Sequence, residues 1–257
     1  MCHDKIIDCI MKGHAAYWDL LGGMRGNTMH KGDVCWLSGD IHFSYAMKLH
    51  GPDYRTQLDH VVERIRHREI PGNIPVSPDS ADDGADLTEY VDKTGLFKAS
   101  FTSLGMAKTL DAGVSHPKAD KRLNLYRVNH MGDLKMCGAI LNAAFAYDLF
   151  SFEHYLDAFN AREVAFHLAE CNGLPVGACM SILQEDILDI AWVGTLSGYR
   201  KKGIAGCLIQ AAEGDAMRKG AAIAVLTASE GAIHAYQRIG YQGYCRFVNY
   251  DFIDRPE

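Results

Sequence analysis

The apolar side chains Leu134, Cys137, Ile140, Leu141, Ala144 and Phe145 recur in steps of three and four, which predicts a helix with one buried face. Phe152, Tyr155, Leu156 and Phe159 repeat the pattern in a shorter helix. Ahead of both, residues 123–128 read as a short strand. Residues 164–169, 177–183 and 187–195 read as further strands, divided by the turn signal Asn172-Gly173 and by the acidic pair Glu185-Asp186. A glycine-bearing turn then opens a helix from about 202 to 219. Residues 221–227 form a continuous apolar run, short enough for a buried strand. A helix over 231–239 stops at Gly240, a C-cap, and a closing strand pair falls around 244–252. The order β-α-α-β-β-β-α-β-α-β-β predicts an α/β (α+β) architecture, a mixed central sheet flanked by helices.

The first half is less regular. A helix is expected around 5–21, strands at 33–37 and 43–50, and an amphipathic helix marked by Tyr54, Leu58, Val61, Val62 and Ile65. A proline-broken strand at 73–76 precedes a helix near 85–94. That helix follows the acids Asp79, Asp82, Asp83 and Asp86, which suit a positive helix end, and Gly95 closes it. Residues 96–110 read as strand. Residues 43–110 therefore run β-α-β-α-β, the order of 187–252, an internal repeat of elements without residue-level likeness. Between the halves, residues 111–122 carry five charges, a glycine and a proline but no apolar period, as a linker does. The expected domains are 1–118, a smaller α/β half-domain, and 119–257.

With 257 residues, 48% apolar and 23% charged, the chain can bury the core of one large domain or two ordinary ones. A formal charge of −6 gives no reason to expect a nucleic-acid partner. Cys2, Cys9, Cys35, Cys137, Cys171, Cys179, Cys207 and Cys245 contain no C-x-x-C pair and read as the reduced thiols of a cytoplasmic protein. No histidines fall in H-x-x-x-H or H-E-x-x-H spacing, so no metal site is inferred. No apolar run approaches the ~18 residues of a membrane span, and the N-terminus lacks a long apolar stretch. The expectation is a soluble, unexported protein without a membrane partner.

The chemistry concentrates in Arg200-Lys-Lys-Gly-Ile-Ala-Gly206, between the strand at 187–195 and the helix that follows. The first turn of a helix offers backbone N–H groups without internal partners, and the helix dipole adds partial positive charge. Together they bind an anion, most readily a phosphate. Gly203 removes the Cβ that would block close approach, and Arg200, Lys201 and Lys202 add charge. Gly198 and Gly203 have P-loop spacing, but Ile204-Ala205 follow where lysine and a magnesium-binding hydroxyl belong. The dinucleotide fingerprint G-x-G-x-x-G is also absent.

Arg200-x-x-Gly203-x-Ala205 resembles the Q/R-x-x-G-x-G/A motif of the GNAT superfamily of N-acetyltransferases, in the same strand–turn–helix setting. Ala232-Ile-His-Ala-Tyr236-Gln-Arg-Ile-Gly240-Tyr241 resembles the family's A-x-x-x-Y-x-x-x-G-F/Y element, one strand further on. The resemblance covers about residues 122–254. Ser229 stands seven residues before the tyrosine, where members often carry asparagine. The resemblance implies the GNAT fold and acetyl-CoA as cosubstrate, with no metal. It implies a pyrophosphate cradle at Arg200, Lys201, Lys202, Gly203, Ile204, Ala205 and Gly206. By position, Val193, Gly194 and Thr195 would hold the pantetheine arm, with Ser229 also near the cofactor. Tyr236 matches the tyrosine that protonates the departing thiolate. Asp189, eleven residues before Arg200, occupies the offset of the glutamate base of histone-type members. Glu170, Glu185, Asp186 and His167 compete for that role.

In the first half, Leu49-His-Gly-Pro-Asp-Tyr-Arg55 carries a proline and an acid where phosphate would sit, so this half resembles the degenerate first unit of a tandem acetyltransferase. Trp18, Trp36, Tyr45 and Tyr90 could line an acceptor cleft or pack in core. The expected activity is transfer of acetyl from acetyl-CoA to a primary amine of a small molecule or peptide. A non-catalytic acyl-CoA-binding or interaction module of the same fold and a phosphate-binding regulator are the alternatives.

Overall fold

A computed structural model describes residues 1–51, 53–81, 87–111, 123–146 and 150–253. The expected linker beyond Asp111, and the acids Asp82, Asp83 and Asp86, lie outside the described residues. The chain forms two compact units. Unit 1 is Met1–Leu20, Met106–Thr227 and His234–Gln242; unit 2 is Leu21–Gly105, Ala228–Ile233 and Gly243–Glu257. These units are not the contiguous stretches 1–118 and 119–257.

In unit 1 the elements are α1 (His3–Gly23, whose last three residues fall in unit 2), the end of β5 (Phe97–Thr109), β6 (Leu123–Arg127), α4 (Met131–Phe145), α5 (Phe152–Asn160), β7 (Val164–Cys171), β8 (Leu174–Gln184), β9 (Ile187–Thr195), α6 (Ile204–Met217), β10 (Ile223–Ser229) and α7 (Ile233–Gln237). The sheet runs β5-β10-β9-β8-β7-β6. It is mixed: β10 is parallel to β9, whereas β9, β8, β7 and β6 pair antiparallel. Helices cover both faces. A Cβ on Gly194 would meet Leu141 and Ala144 of α4, and one on Gly177 would meet Ile204 and Leu208 of α6. Gly194 pairs with Ala178, so the two contacts fall on opposite faces of the pleat.

The strand beside β10 comes from the first half of the sequence. Its Lys108 Nζ donates to Glu213 Oε2 of α6 at 2.7 Å, and Tyr241 Oη donates to Glu213 Oε1 at 2.9 Å, all three residues being buried. Low exposure keeps this pair out of water, so each charge relies on the other.

Unit 2 contains β1 (Asn27–His30), β2 (Val34–Gly39), β3 (Phe43–Met47), α2 (Tyr54–Arg66), β4 (Asn73–Val76), α3 (Thr88–Thr94), most of β5, and β11 (Gln242–Phe252). β1-β2-β3 form an antiparallel sheet, and β11 lies between β4 and β5. The expected closing strand pair at 244–252 is one strand. Residues 244–252 contain no glycine or proline to turn the chain, and the partners of β11 are β4 and β5 rather than a neighbour in sequence. Leu58, Val61, Val62 and Ile65 of α2 are buried in a core with Val34, Met47, Ile74 and Tyr250. The order β3-α2-β4-α3-β5 matches β9-α6-β10-α7-β11 element for element. Among the described residues, no helix is long and apolar enough to cross a membrane.

Candidate active site

β9 and β10 part company early. Their pairing covers Ile223↔Ile187, Ala224↔Leu188 and Val225↔Asp189, although β9 continues to Thr195 and β10 to Ser229. The separation has a local cause on β9. Ser181 pairs with Ile190, but Met180 pairs with Trp192, so Ala191 is the extra residue of a β-bulge. A bulge bends its strand and raises its twist, here immediately after the last pair with β10. It also resets the side-chain alternation. Asp189, Trp192 and Gly194 share the α4 face, while Ile190, Val193 and Thr195 share the α6 face.

Asp189 sits at the apex of the opening. It is 7% exposed, and burial alone pushes its carboxyl up to about 7. α1 covers it: a Cβ on Gly13 would stand 3.3 Å from Asp189 Cβ and 2.6 Å from Val225 Cγ2, so only glycine allows this approach. One turn along α1, Tyr17 Oη accepts from Trp192 Nε1 at 3.1 Å. Phe145 and Phe150 set their rings edge-on to Trp192, at 4.8 and 5.9 Å. Tyr17, Phe145, Phe150 and Trp192 carried no signal in the sequence beyond apolar periodicity.

Thr195 ends β9, and its buried Oγ1 has no hydrogen-bond partner among the described residues. The chain then passes a short 3-10 turn, Ser197–Tyr199, into the basic turn. Arg200 is engaged by main chain, its Nε donating to Thr195 O at 3.1 Å and its guanidinium donating to Ala144 O at 2.7 Å. Lys202 Nζ donates to Gly198 O at 3.2 Å and lies over the Tyr199 ring. Thus Arg200 and Lys202 splint the loop rather than reach outward. Gly203 is the N-cap of α6, left-handed at φ 80°, with no side-chain cap and nothing within 4 Å of a notional Cβ. Glycine meets both demands, and the first-turn N–H groups stay free for an anion. Ile204 is buried against Gly177, and a Cβ on Gly206 would stand 3.2 Å from Ile239. Lys201, Lys202 and Gly203 are exposed, and Ala205 is half-buried.

The corresponding turn of unit 2 differs. There Asp53 caps α2 with its own carboxylate, accepting from Thr56 N at 3.2 Å. Between β3 and β4, the Asn73 carboxamide accepts from Ser44 N at 3.0 Å and donates to Ser44 O at 2.9 Å, a side-chain staple in place of a ladder.

Tyr236 is half-buried in α7, and burial raises its phenol to about 12. It lies within electrostatic reach of Cys179, the residue paired with Val193. Cys179, on the α6 face with Val193, also feels the charge of Asp189. Glu170 accepts from Tyr126 Oη on β6, Glu185 and Asp186 form the exposed β8–β9 turn, and His167 is bound to Asp215 of α6. Of the candidate bases, Asp189 alone stands at the strand opening. Ser229 belongs to unit 2, where it is exposed. Trp36 and Tyr90 pack against the unit 2 core, Tyr45 lies on β3, and Trp18 packs on Tyr17 in α1.

A bulged strand that parts from its parallel neighbour thus leads into an uncapped, glycine-led helix. Residues 136–241 match the model of the Acetyltransferase (GNAT) family, so this segment is a GNAT domain. The fold agrees with solved structures along nearly the whole chain. A GCN5-related N-acetyltransferase from Kribbella flavida is 16% identical, covers 96% of each chain and has a TM-score of 0.69. One from Sphaerobacter thermophilus is 20% identical over 87% of this chain and 81% of that one, with a TM-score of 0.66. A tandem GNAT protein from the clavulanic acid biosynthesis pathway is 11% identical over 99% and 95%, with a TM-score of 0.62. No curated protein matches the sequence.

Proposed function

We propose that the protein is an N-acetyltransferase that moves acetyl from acetyl-CoA to a primary amine of a small molecule or peptide. The observation that carries this reading is the opening of β9 from β10 at Asp189, leading to the uncapped α6 N-terminus at Gly203. The residues present fit the coenzyme. The first-turn amides of α6 would take the pyrophosphate, Lys201 would add charge, and Val193, Gly194 and Thr195 would hold the pantetheine arm. The orphaned Thr195 Oγ1 is a polar group waiting for a partner. Bound acetyl-CoA supplies an activated acetyl thioester.

Asp189 accepts the proton that an ammonium must lose before its nitrogen can attack. A carboxyl near 7 is matched to that task at neutral pH. Tyr236 keeps its proton because burial raises its phenol, so its O–H can donate to the departing sulfur. Most of the acceleration would come from holding amine and thioester together. Residues 1–118 are read as a degenerate GNAT-like half beside the catalytic domain 119–257. The repeated element order and the carboxylate of Asp53 in the phosphate position support that assignment. The cover over Asp189 favours one other reading, an acyl-CoA-binding module without turnover.

Two measurements test the proposal. Acetyl-CoA should raise the melting temperature of the protein, and Gly203→Asp should abolish that rise by placing a carboxylate in the cradle. Amine-dependent release of free thiol should occur and fall steeply in Tyr236→Phe. Binding without release against a broad amine panel would leave the module; no binding would remove both readings.

A further inference from the structure

Unit 1 holds a second concavity, about 370 Å³, between α6 and the strands β6 and β7. No residue of the proposed coenzyme cradle lines it. Its polar end is a linked set of side chains. His167 Nε2 donates to Asp215 Oδ2 at 2.7 Å, and the guanidinium of Arg218 pairs with Asp215 Oδ1. Both carboxylate oxygens of Asp215 are therefore committed. His167 is 2% exposed, and burial lowers its pKa, so the imidazole is neutral. Its Nδ1 is buried without a partner among the described residues.

Arg127 faces His167 across the β6–β7 ladder and lines the cavity as well as an adjoining hollow of about 250 Å³. Half-buried, its guanidinium has no hydrogen-bond or ion-pair partner among the described residues. Two guanidiniums, one carboxylate and a neutral imidazole leave one positive charge at this end. The lining also carries apolar side chains, Leu125 and Ala211, beside Cys207 and Gln210. Leu125 lies two residues from Arg127 on the same face of β6, roughly 7 Å away. Ala211 lies one turn before Asp215 on α6, roughly 6 Å away.

We propose that this cavity binds a small carboxylic acid with a short apolar body. Arg127 grips the carboxylate with two N–H donors, the geometry guanidinium offers best. The apolar body, a ring or a chain of a few carbons, lies over Leu125 and Ala211. A bare anion meets only half of the site, and an uncharged molecule leaves Arg127 unanswered.

Benzoate is the probe, with benzyl alcohol and inorganic phosphate beside it, titrated into the full chain and followed by ligand-observed NMR. Saturable benzoate binding is expected, with both comparison molecules weaker by about tenfold or more. Arg127→Gln should weaken benzoate by about tenfold or more, and Ala211→Phe should block it by filling the apolar part. Both variants should keep the circular dichroism of the parent. Failure of benzoate to bind the parent chain, phosphate binding as well as benzoate, or binding indifferent to both substitutions would each overturn the proposal.

Discussion

Asp189→Asn separates the cost of a buried carboxyl from its use. The carboxyl titrates at about 3.9 in an unfolded chain and near 7 in the folded protein, because burial disfavours its charge. Its folded pKa is raised, so the acid is neutral and harmless at low pH. As pH climbs from about 4 to 7, the unfolded state ionises freely while the folded state resists, and folding loses stability. The loss is complete above the folded value and amounts to about 4 kcal/mol, three units at ~1.4 kcal/mol each. At pH 5 it is only about 1–2 kcal/mol. Asparagine has nearly the same shape and no charge to lose. Asp189→Asn should therefore be more stable than the parent by about 4 kcal/mol at pH 8 and about 1–2 kcal/mol at pH 5. Urea unfolding at the two pH values, followed by tryptophan fluorescence, measures the gap. The same variant should keep acetyl-CoA affinity and lose amine-dependent thiol release by about 10²-fold or more. Gained stability with lost turnover is the mark of a group retained for chemistry. A gap that does not change with pH, or a variant less stable at pH 8, would refute the desolvated carboxyl and the base role built on it.

Other perturbations test the frame around this group. Lys108→Met strands the buried carboxylate of Glu213 and should cost about 3 kcal/mol or more in urea unfolding, whereas Lys108→Met with Glu213→Leu should recover most of it; a single-variant loss under about 1 kcal/mol would contradict the pairing. Gly13→Val drives a side chain into Val225 and Asp189 and should cost about 1–3 kcal/mol and depress thiol release; unchanged turnover would place α1 outside the working site. A fragment of residues 119–257 lacks α1 and the strand Met106–Thr109 that completes the unit 1 sheet, so it should aggregate or lack a cooperative melt, as light scattering and calorimetry would show.

The sequence announced what depends on neighbours along the chain and hid what depends on neighbours across it. Periodicity placed α2 at Tyr54–Arg66 and β4 at Asn73–Val76 because each shows a local apolar pattern bounded by turns. The glycine-led start of α6 was legible for the same reason, since Gly203 and the residues after it act within one turn. β1 was missed: Asn-Thr-Met-His carries a weak strand pattern and is held by its ladder to β2. The single strand β11 was misread because its partners lie far away in sequence. The bulge at Ala191 escaped for a deeper reason. Plain alternation along β9 would send Asp189 and Trp192 to opposite faces, and only the register with β8 shows that one extra residue brings them to the same side. That register is where the proposed acceptor side originates: it places a desolvated carboxyl and an aromatic wall under α1, while Val193 and Thr195 face the other way with Cys179. A deletion of Ala191 should leave Asp189 and Trp192 on one face, because plain alternation joins them once the extra residue is gone, but it removes the bulge that bends β9 away from β10, so acetyl-CoA binding and thiol release should fall together.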